Sequence, residues 1–484
     1  MYPDRKQYKN LAENHDLIPV YLELIADMET PVSVLHRFAD RKNAFLLESM
    51  EGNEKWGRYS FIGVEPELMM RVDHSKESSD GLKTLRNVFR GMRVAKVPGL
   101  PRFFGGAVGF LGYEAAGEFE RMPESKPRQS FAEPQSLFLK VDKLIVFDNF
   151  RHTVKLVFCS WPGNHSSWDG AYEYAQTEIE TMKKFLGKSH QRPEMKTYPK
   201  AVFTSNMSKD EYCKLVTKAK EYIRNGDIIQ TVISRRITAE STVPSLQLYR
   251  ALRLVNPSPY TFFLKIDEYT LVGSSPEVMV RLTGNRIELR PIAGTRPRGT
   301  SEQQDRKLAS QLLSDEKEKA EHVMLVDLGR NDLGRIAETG SVQVTEHMLI
   351  ERYSHVMHIV SHIEGILKKG LDAYDVIAAT FPAGTLTGAP KIRAMEIIHE
   401  LEIQPRGAYG GALGYISYDG NMDLAITIRT LEVCRGKVSI QVGAGIVFDS
   451  DPEREFDETS HKALGMQKAF DLASNTLRLY EEEL

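Results

Sequence analysis

The segment LGYISYDGNMDLAITIRTLEVCRGKVSIQVGAGIV, residues 413–447, decides the fold class, because it consists of apolar strand-like runs joined by tight turns. Strands joined in this way pair antiparallel. Similar runs occur at 44–49, 58–64, 137–148 and 227–240, and helices are predicted near 170–187, 303–328, 371–380, 389–401 and 453–475. Because strands and helices interleave without a regular βαβ rhythm, we predict an α+β fold with large, mostly antiparallel sheets.

The composition is that of a soluble globular protein. The chain has 484 residues, of which 41% are hydrophobic and 27% charged, and its net charge of −3 gives no reason to expect a nucleic-acid or membrane surface. Its three cysteines are too widely spaced for a disulfide framework. The polar start MYPDRKQYKN lacks a signal core, and no apolar run approaches the ~20 residues of a membrane span. We therefore expect a cytoplasmic protein.

A polar, basic and proline-containing stretch at 186–203 is the best linker candidate. It predicts a boundary near residue 200, between domains at 16–200 and 201–470. Directly after it, Ser208 and Glu211 have the spacing of a capping box, which predicts a helix that ends at Gly226.

Two glutamate pairs lie far apart in the chain, Glu318 with Glu321 and Glu455 with Glu458. Each pair has i,i+3 spacing, so each presents two carboxylates on one face of a helix. Oxygen ligands of this kind suit Mg²⁺ better than Zn²⁺. The alternative is a pair of solvated acidic faces. Lys462, four residues after Glu458, forms either an ordinary surface salt bridge or a substrate-facing charge that balances the acids.

Three glycine-containing segments are candidate ligand-binding loops. Gly443-Ala444-Gly445 is expected to form a turn that lets a ligand approach the backbone. In PIAGTRPRGT (291–300), Gly294 and Thr295 offer an N–H and a hydroxyl to an anion, although a simple Pro/Gly turn also explains the motif. FPAGTLTGAPK (381–391) places Thr385 and Thr387 near a helix start but lacks phosphate-loop spacing.

Several single residues add to these motifs. Arg429 lies in a run, AITIRT, that is expected to be a strand buried on both faces, and a buried arginine needs an acidic partner or a ligand. His355 and His358 lie in RYSHVMHIVSHIEG, where a structural role for His358 stays open. Glu277, in GSSPEVMV, follows a turn and starts a strand.

Taken together, these residues resemble the chorismate-utilising enzymes, most closely the large subunits of anthranilate synthases. The resemblance covers about residues 16–470 and depends on PIAGTRPRG, DEKEKAEHVMLVDLGRNDLGRI, RYSHVMHIVSHIEG, FPAGTLTGAPKIRAMEII, RGAYGGALGYIS, DLAITIRT and GAGIVFDSDPEREFDET, in that order. It implies two intertwined antiparallel sheets flanked by helices. It also implies a Mg²⁺-dependent lyase that makes anthranilate and pyruvate from chorismate and ammonia, in the first step of tryptophan biosynthesis.

The resemblance implies a role for each site residue. The metal residues are Glu321 and Glu458, which bind directly, and Glu318 and Glu455, which act through water. The chorismate contacts are Gly294, Thr295, Tyr409, Arg429, Gly443, Ala444 and Gly445. The catalytic residues are Glu277, Thr385, His358 and Lys462. Among these, Glu277 is the acid for the departing C4 hydroxyl and His358 serves the later elimination.

Two positions discriminate within the family. Relatives that add water carry a lysine base where this chain has Gln230, which disfavours an isochorismate or salicylate synthase. Many aminodeoxychorismate synthases carry lysine where this chain has Ala293, but some carry alanine, so that reading stays the alternative. A non-catalytic Mg²⁺-binding or amino-acid-sensing protein is the rival from another class.

The N-terminal half resembles a tryptophan feedback pocket, made by LLES (46–49) and NPSPY (256–260). Its predicted residues are Glu48, Ser49, Pro259, Tyr260 and Thr261, the last replacing a methionine of many relatives. No cysteine lies in the setting of a glutaminase nucleophile. A separate glutamine amidotransferase subunit is therefore the expected source of ammonia.

Overall fold

A computed structural model describes residues 1–50, 57–73, 81–122, 133–187, 196–353, 356–475 and 477. Its strands are β1 (Ile18–Ile25), β2 (Asn43–Glu48), β3 (Tyr59–Gly63), β4 (Glu67–Asp73), β5 (Gly106–Leu111), β6 (Pro134–Val141), β7 (Lys143–Asp148), β8 (Thr153–Ser160), β9 (Thr204–Ser205), β10 (Gln230–Glu240), β11 (Tyr260–Ile266), β12 (Tyr269–Ser275), β13 (Val278–Thr283), β14 (Arg286–Leu289), β15 (Ile292–Pro297), β16 (Gln343–Arg352), β17 (Val356–Ile366), β18 (Gly388–Ala389), β19 (Ala412–Ser417), β20 (Met422–Ile426), β21 (Thr430–Cys434) and β22 (Lys437–Ile446).

The α-helices are α1 (Arg5–Ala12), α2 (Pro31–His36), α3 (Gly81–Phe89), α4 (Trp168–Leu186), α5 (Lys209–Arg224), α6 (Ser245–Val255), α7 (Glu302–Ser314), α8 (Glu316–Ile336), α9 (Ala373–Thr380), α10 (Lys391–Leu401) and α11 (Pro452–Ser474). Short 3-10 helices occupy Tyr113–Glu118, Pro162–Asn164 and Gly384–Leu386. The capping box at Ser208 and Glu211 is confirmed at the start of α5. None of the helices in the described ranges is long and apolar enough to cross a membrane.

The single helix predicted over 303–328 is wrong, because the chain breaks at Asp315 into α7 and α8. Asp315 has an extended backbone, and its carboxylate accepts hydrogen bonds from the backbone N–H groups of Lys317 and Glu318. An aspartate that caps a helix in this way starts a new one. The first glutamate pair therefore lies at the N-terminal end of α8 rather than inside one long helix.

Two antiparallel sheets form the frame, as predicted. In the described ranges, one has 12 strands in the order β1-β8-β7-β3-β2-β11-β12-β21-β22-β10-β18, with β9 also on β10. The other has 10, in the order β15-β17-β14-β13-β20-β19-β5-β6-β4, with β16 also on β17. Both sheets mix strands from before and after residue 200, so the domain boundary near that residue stays a prediction. Residues 188–195 of the proposed linker lie outside the described part.

The sheets pack face to face through an aromatic core that contains residues of both, including Phe45, Phe262 and Phe110. A second core covers the outer face of the 12-stranded sheet with α4, α6 and α11, and a third covers the 10-stranded sheet with α8, α9 and α10. Close approach of the neighbouring strand β6 explains Gly109 in the glycine-rich run 105–114, since a Cβ there would lie 2.0 Å from the Leu137 carbonyl oxygen. This arrangement brings α8 and α11, on different sheets, to one site.

Candidate functional site

The two glutamate pairs lie on α8 and α11, and their carboxylates are close enough to affect one another's pKa values. Burial raises the pKa of Glu321, and the nearby carboxylates of Glu318, Glu455 and Glu458 raise it further. The pKa of Glu455 is likewise raised, first by burial and then by Glu458. Repulsion between these side chains requires that they share one region. We call Glu318, Glu321, Glu455 and Glu458 the acidic cluster.

Basic side chains pair with a glutamate of the acidic cluster on each of the two helices. Lys462 Nζ lies 2.7 Å from Glu458 Oε1, and the side chains of both residues are about half exposed. The same Nζ donates to the Gly443 carbonyl oxygen over 3.0 Å. Lys462 thus makes the ordinary i,i+4 salt bridge and also joins α11 to the end of β22. Arg296 of β15 pairs with Glu318 of α8 at 3.1 Å.

The turn predicted at Gly443-Ala444-Gly445 is wrong, because these residues belong to β22 and pair with Val232, Ile233 and Ser234 of β10. The glycines are needed for close packing instead. A Cβ on Gly443 would lie 2.7 Å from the Tyr409 hydroxyl, and a Cβ on Gly445 would lie 2.7 Å from Gln230 Nε2. The missing side chains therefore admit Tyr409 and Gln230 to the strand surface.

Gly294, Thr295 and His358 form a second part of the site, beside Glu318 of the acidic cluster. Gly294 has φ +63°, and a Cβ on it would lie 3.0 Å from Glu318 Oε2. His358 Nδ1 lies 2.9 Å from the Gly294 carbonyl oxygen and 3.1 Å from Thr295 Oγ1. Since a carbonyl only accepts, Nδ1 carries the hydrogen and Nε2 is the basic nitrogen. Burial lowers the pKa of His358, which keeps the ring neutral at pH 7.

Glu277 is the most strongly perturbed acid among the predicted site residues. It is 9% exposed, and burial raises its pKa to about 8. Thr385 Oγ1 donates a hydrogen bond of 3.0 Å to Glu277 Oε1. Arg429 is close enough to lower the pKa of both Glu277 and His358. A carboxyl with this pKa keeps its proton at neutral pH and can donate it.

A narrow cavity of about 50 Å³ lies beside Glu277 and Thr385 and is also lined by Leu325, Leu328 and Asp332 of α8. It has room for a few molecules the size of water or ammonia. Leu325 lies four residues after Glu321, on the same face of α8. The same helix face thus carries half of the acidic cluster and one wall of the cavity.

Other expectations for single residues need correction. Arg429 is not on a strand buried on both faces; it lies between β20 and β21, half-buried, with φ +49°. Thr387 does not offer its hydroxyl at a helix start, because it is fully buried and donates to the Ala383 carbonyl oxygen. Arg298, at the end of the PIAGTRPRGT motif, pairs with Asp305 at 2.8 Å. His355 lies outside the described residues.

Sequence reasoning missed a buried ion pair beneath the site, Arg406 with Glu402. Arg406 is 1% exposed, and its Nη2 lies 2.7 Å from Glu402 Oε1. Its guanidinium also lies over the rings of Tyr113 and Tyr409, at 4.5 and 5.7 Å from their centroids. The i,i+4 spacing in ELEIQPR was a signal for this pair, but not for its burial.

The predicted feedback residues lie in a separate region of the 12-stranded sheet. Glu48 of β2 pairs with Thr261 of β11, and Met50 N–H donates to the Ser258 carbonyl oxygen. The buried Glu48 carboxyl accepts from Tyr249 at 2.5 Å and pairs with Arg253 at 2.9 Å. Ser49 Oγ is buried without a hydrogen-bond partner. The segments LLES and NPSPY are thus neighbours, and the Ser49 hydroxyl of the first segment has no hydrogen-bond partner.

On the other side of that region, β11 begins at Tyr260, and Pro259 lies in the loop directly before it. The Tyr260 hydroxyl donates to Asp423 Oδ1 over 2.9 Å, and Arg281 bonds both Tyr260 and Asp423. This network ties the wall of the predicted pocket to β13 and β20 of the second sheet.

Comparison with known proteins defines the family to which the chain belongs. The chain matches the family described as chorismate binding enzyme over residues 42–468. It is 42% identical to anthranilate synthase component 1 of Acetivibrio thermocellus, over 98% of this chain and 99% of the relative, and 44% identical to that of Aquifex aeolicus, over 97% and 98%. The crystal structure of anthranilate synthase component I from Streptococcus pneumoniae superposes with a TM-score of 0.76 at 36% identity, covering 86% of this chain and 93% of that one.

With these matches along nearly its whole length, the chain belongs to the anthranilate synthase component 1 family.

The geometry at Glu277 predicts how its carboxyl titrates. We expect an apparent pKa of about 8, measured from the infrared band that is lost in Glu277→Gln. The Thr385 hydroxyl favours the ionised form, so Thr385→Val should raise that pKa further.

The matched control is Thr387→Val, which makes the same change two residues away, where the hydroxyl donates to the Ala383 carbonyl oxygen, and it should leave the titration unchanged. A band that titrates near the ordinary glutamate pKa of about 4.5 would contradict the buried, protonated acid.

Proposed function

We propose that this chain converts chorismate and ammonia into anthranilate and pyruvate, as the large subunit of an anthranilate synthase. The observation that carries the proposal is the convergence of a protonated acid, a neutral histidine and the acidic cluster around one group of chorismate-facing residues. Membership of the family and the matched relatives support the same reaction.

Glu277 supplies the proton for the first step. Ammonia attacks C2 of the ring, the double bonds shift, and the C4 hydroxyl leaves as water with the proton of Glu277. The raised pKa of about 8 keeps this proton available at neutral pH, and the Thr385 hydroxyl orients the carboxyl that donates it.

His358 serves the second step, in which the aminated intermediate loses pyruvate and a ring proton. Its pKa is lowered and its Nδ1–H is held by the Gly294 carbonyl oxygen, so Nε2 is left as the acceptor. Arg429, which acts electrostatically on both Glu277 and His358, holds a substrate carboxylate together with Tyr409.

The acidic cluster fits Mg²⁺. Glu321 and Glu458 would hold it directly, and Glu318 and Glu455 through water. Burial first, and then the neighbouring carboxylates, raise the pKa values of Glu321 and Glu455, and a bound cation would favour their ionised forms. When bound, Mg²⁺ supplies charge neutralisation at the ring carboxylate. Lys462 and Arg296 would set the orientation of Glu458 and Glu318.

The choice of ammonia over water follows from Gln230. Its side chain rests on Gly445, and an amide cannot deprotonate water, whereas ammonia needs no base. We expect a separate amidotransferase subunit to deliver ammonia from glutamine, since the chain offers no glutaminase cysteine of its own.

The direct test is incubation of the isolated chain with chorismate, Mg²⁺ and an ammonium salt. We expect fluorescent anthranilate and an equal amount of pyruvate, with no turnover of glutamine until the partner subunit is added. Arg429→Ala should reduce kcat/KM by about 100-fold or more, because a carboxylate anchor of the transition state is lost.

Formation of an aminated product that keeps its enolpyruvyl group would assign the chain to the aminodeoxychorismate reaction instead. Absence of any chorismate turnover with ammonium would contradict the enzyme assignment.

We further propose that tryptophan binds beside Glu48 and Ser49 and inhibits the enzyme. The unsatisfied Ser49 hydroxyl and the adjoining 258–261 segment support a polar pocket there. Glu48 would address the amino group, with Pro259, Tyr260 and Thr261 as a wall.

Calorimetry with tryptophan checks this pocket. Ser49→Ala should weaken binding about tenfold, because one hydrogen bond is lost, whereas Ser205→Ala, on an exposed strand of the same sheet, should not. Equal affinity in wild type and Ser49→Ala would remove Ser49 from the pocket.

A further inference from the structure

Glu288, His362 and Glu364 form a group of three metal-ligand side chains outside the acidic cluster. Glu288 lies on β14, and the other two lie on β17, which pairs with β14 so that Glu288 is opposite Glu364. In the described residues, this is the one set of at least three such side chains whose ligand atoms all lie within 4.8 Å of one another. We call it the His362 cluster.

His362 aims an unsatisfied nitrogen into this group. The residue is 9% exposed, and its Nε2 is buried without a hydrogen-bond partner. That nitrogen lies 3.3 Å from Glu288 Oε1 and 3.2 Å from Glu364 Oε1, between the two carboxylates. A buried polar atom in this state calls for a partner.

The distances from the His362 nitrogen to the two carboxylate oxygens suit a small divalent ion. Zn²⁺ bonds to histidine nitrogen and carboxylate oxygen are about 2.0–2.1 Å long, so neighbouring ligands of a tetrahedral site lie about 3.3 Å apart. The two nitrogen–oxygen distances of the His362 cluster are 3.3 and 3.2 Å. An imidazole with two carboxylates favours zinc over magnesium, which takes oxygen ligands.

Charged neighbours contact both carboxylates. Burial acts to raise the pKa of Glu288, but His362 and Arg281 hold it below its usual value, so the group is ionised at neutral pH. Arg286 pairs with Glu364, and Thr345 donates to the same carboxylate over 3.5 Å. The Arg286 side chain is 51% exposed, which leaves it free to turn into solvent when an ion arrives.

We propose that Glu288, His362 and Glu364 bind one zinc-class divalent ion, separate from the acidic cluster. With three protein ligands, the fourth position is taken by water. The ion fastens β14 to β17, and His358 lies on the same face of β17, four residues or about 13 Å from His362. Its role is therefore to fix the strand that carries His358.

The test is zinc binding by the full chain in saturating Mg²⁺, followed by competition with a chromophoric zinc chelator. Wild type should hold one equivalent of Zn²⁺. His362→Gln and Glu364→Gln should each lower the affinity at least about tenfold, because each removes a ligand. Zinc should also raise the Tm of wild type and not that of His362→Gln.

Two matched controls separate this site from other zinc contacts. His347→Gln removes an exposed histidine of β16, and Glu458→Gln weakens the acidic cluster, and both variants should bind zinc as wild type does. If His362→Gln does not fold, the zinc affinity of Glu288→Gln tests the same site. Equal zinc affinity in wild type, His362→Gln and Glu288→Gln, or no zinc bound by wild type, would overturn the proposal.

Discussion

The buried ion pair between Arg406 and Glu402 is the constraint on which the site depends. Glu402 accepts from the N–H and hydroxyl of Ser234 on β10, while Arg406 donates to the carbonyl oxygens of Val232 and Leu386. The pair thus holds the 12-stranded sheet, the loop that carries Thr385 and the tyrosine rings above it. Breaking a buried pair of this kind costs about 3–5 kcal/mol, since one charge is left uncompensated.

From this anchor, contacts run through the whole site. Tyr409 lies against Gly443, Gly443 accepts from Lys462, and Lys462 pairs with Glu458. The acidic cluster connects α11 with α8. On α8, Glu318 lies against Gly294, whose carbonyl oxygen accepts a hydrogen bond from His358. Glu277 is linked to this group through Arg429, which acts on its pKa, and through Thr385, which donates a hydrogen bond to its carboxyl. Side chains from both sheets are therefore positioned by one another rather than by a single loop.

The sequence was informative where the signal is local. Helix spacing placed each glutamate pair on a helix, and the Ser208 capping box was readable from four residues. Prediction from the sequence failed where tertiary packing determines the backbone conformation. Gly443 and Gly445 suggest a turn, yet they are strand residues that admit Tyr409 and Gln230. Arg429 in an apolar run suggests a buried strand, but its left-handed backbone ends the run.

If carboxylates from α8 and α11 share one divalent ion, as we propose, both helices are needed to bind it. Mn²⁺, a spectroscopic substitute for Mg²⁺, can be titrated by electron paramagnetic resonance into wild type, Glu321→Gln, Glu458→Gln and the exposed control Glu453→Gln. A shared site predicts that Glu321→Gln and Glu458→Gln each weaken the same Mn²⁺ at least about tenfold, or 1.4 kcal/mol, while Glu453→Gln does not. Loss of affinity in only one of the two, or in neither, would contradict it.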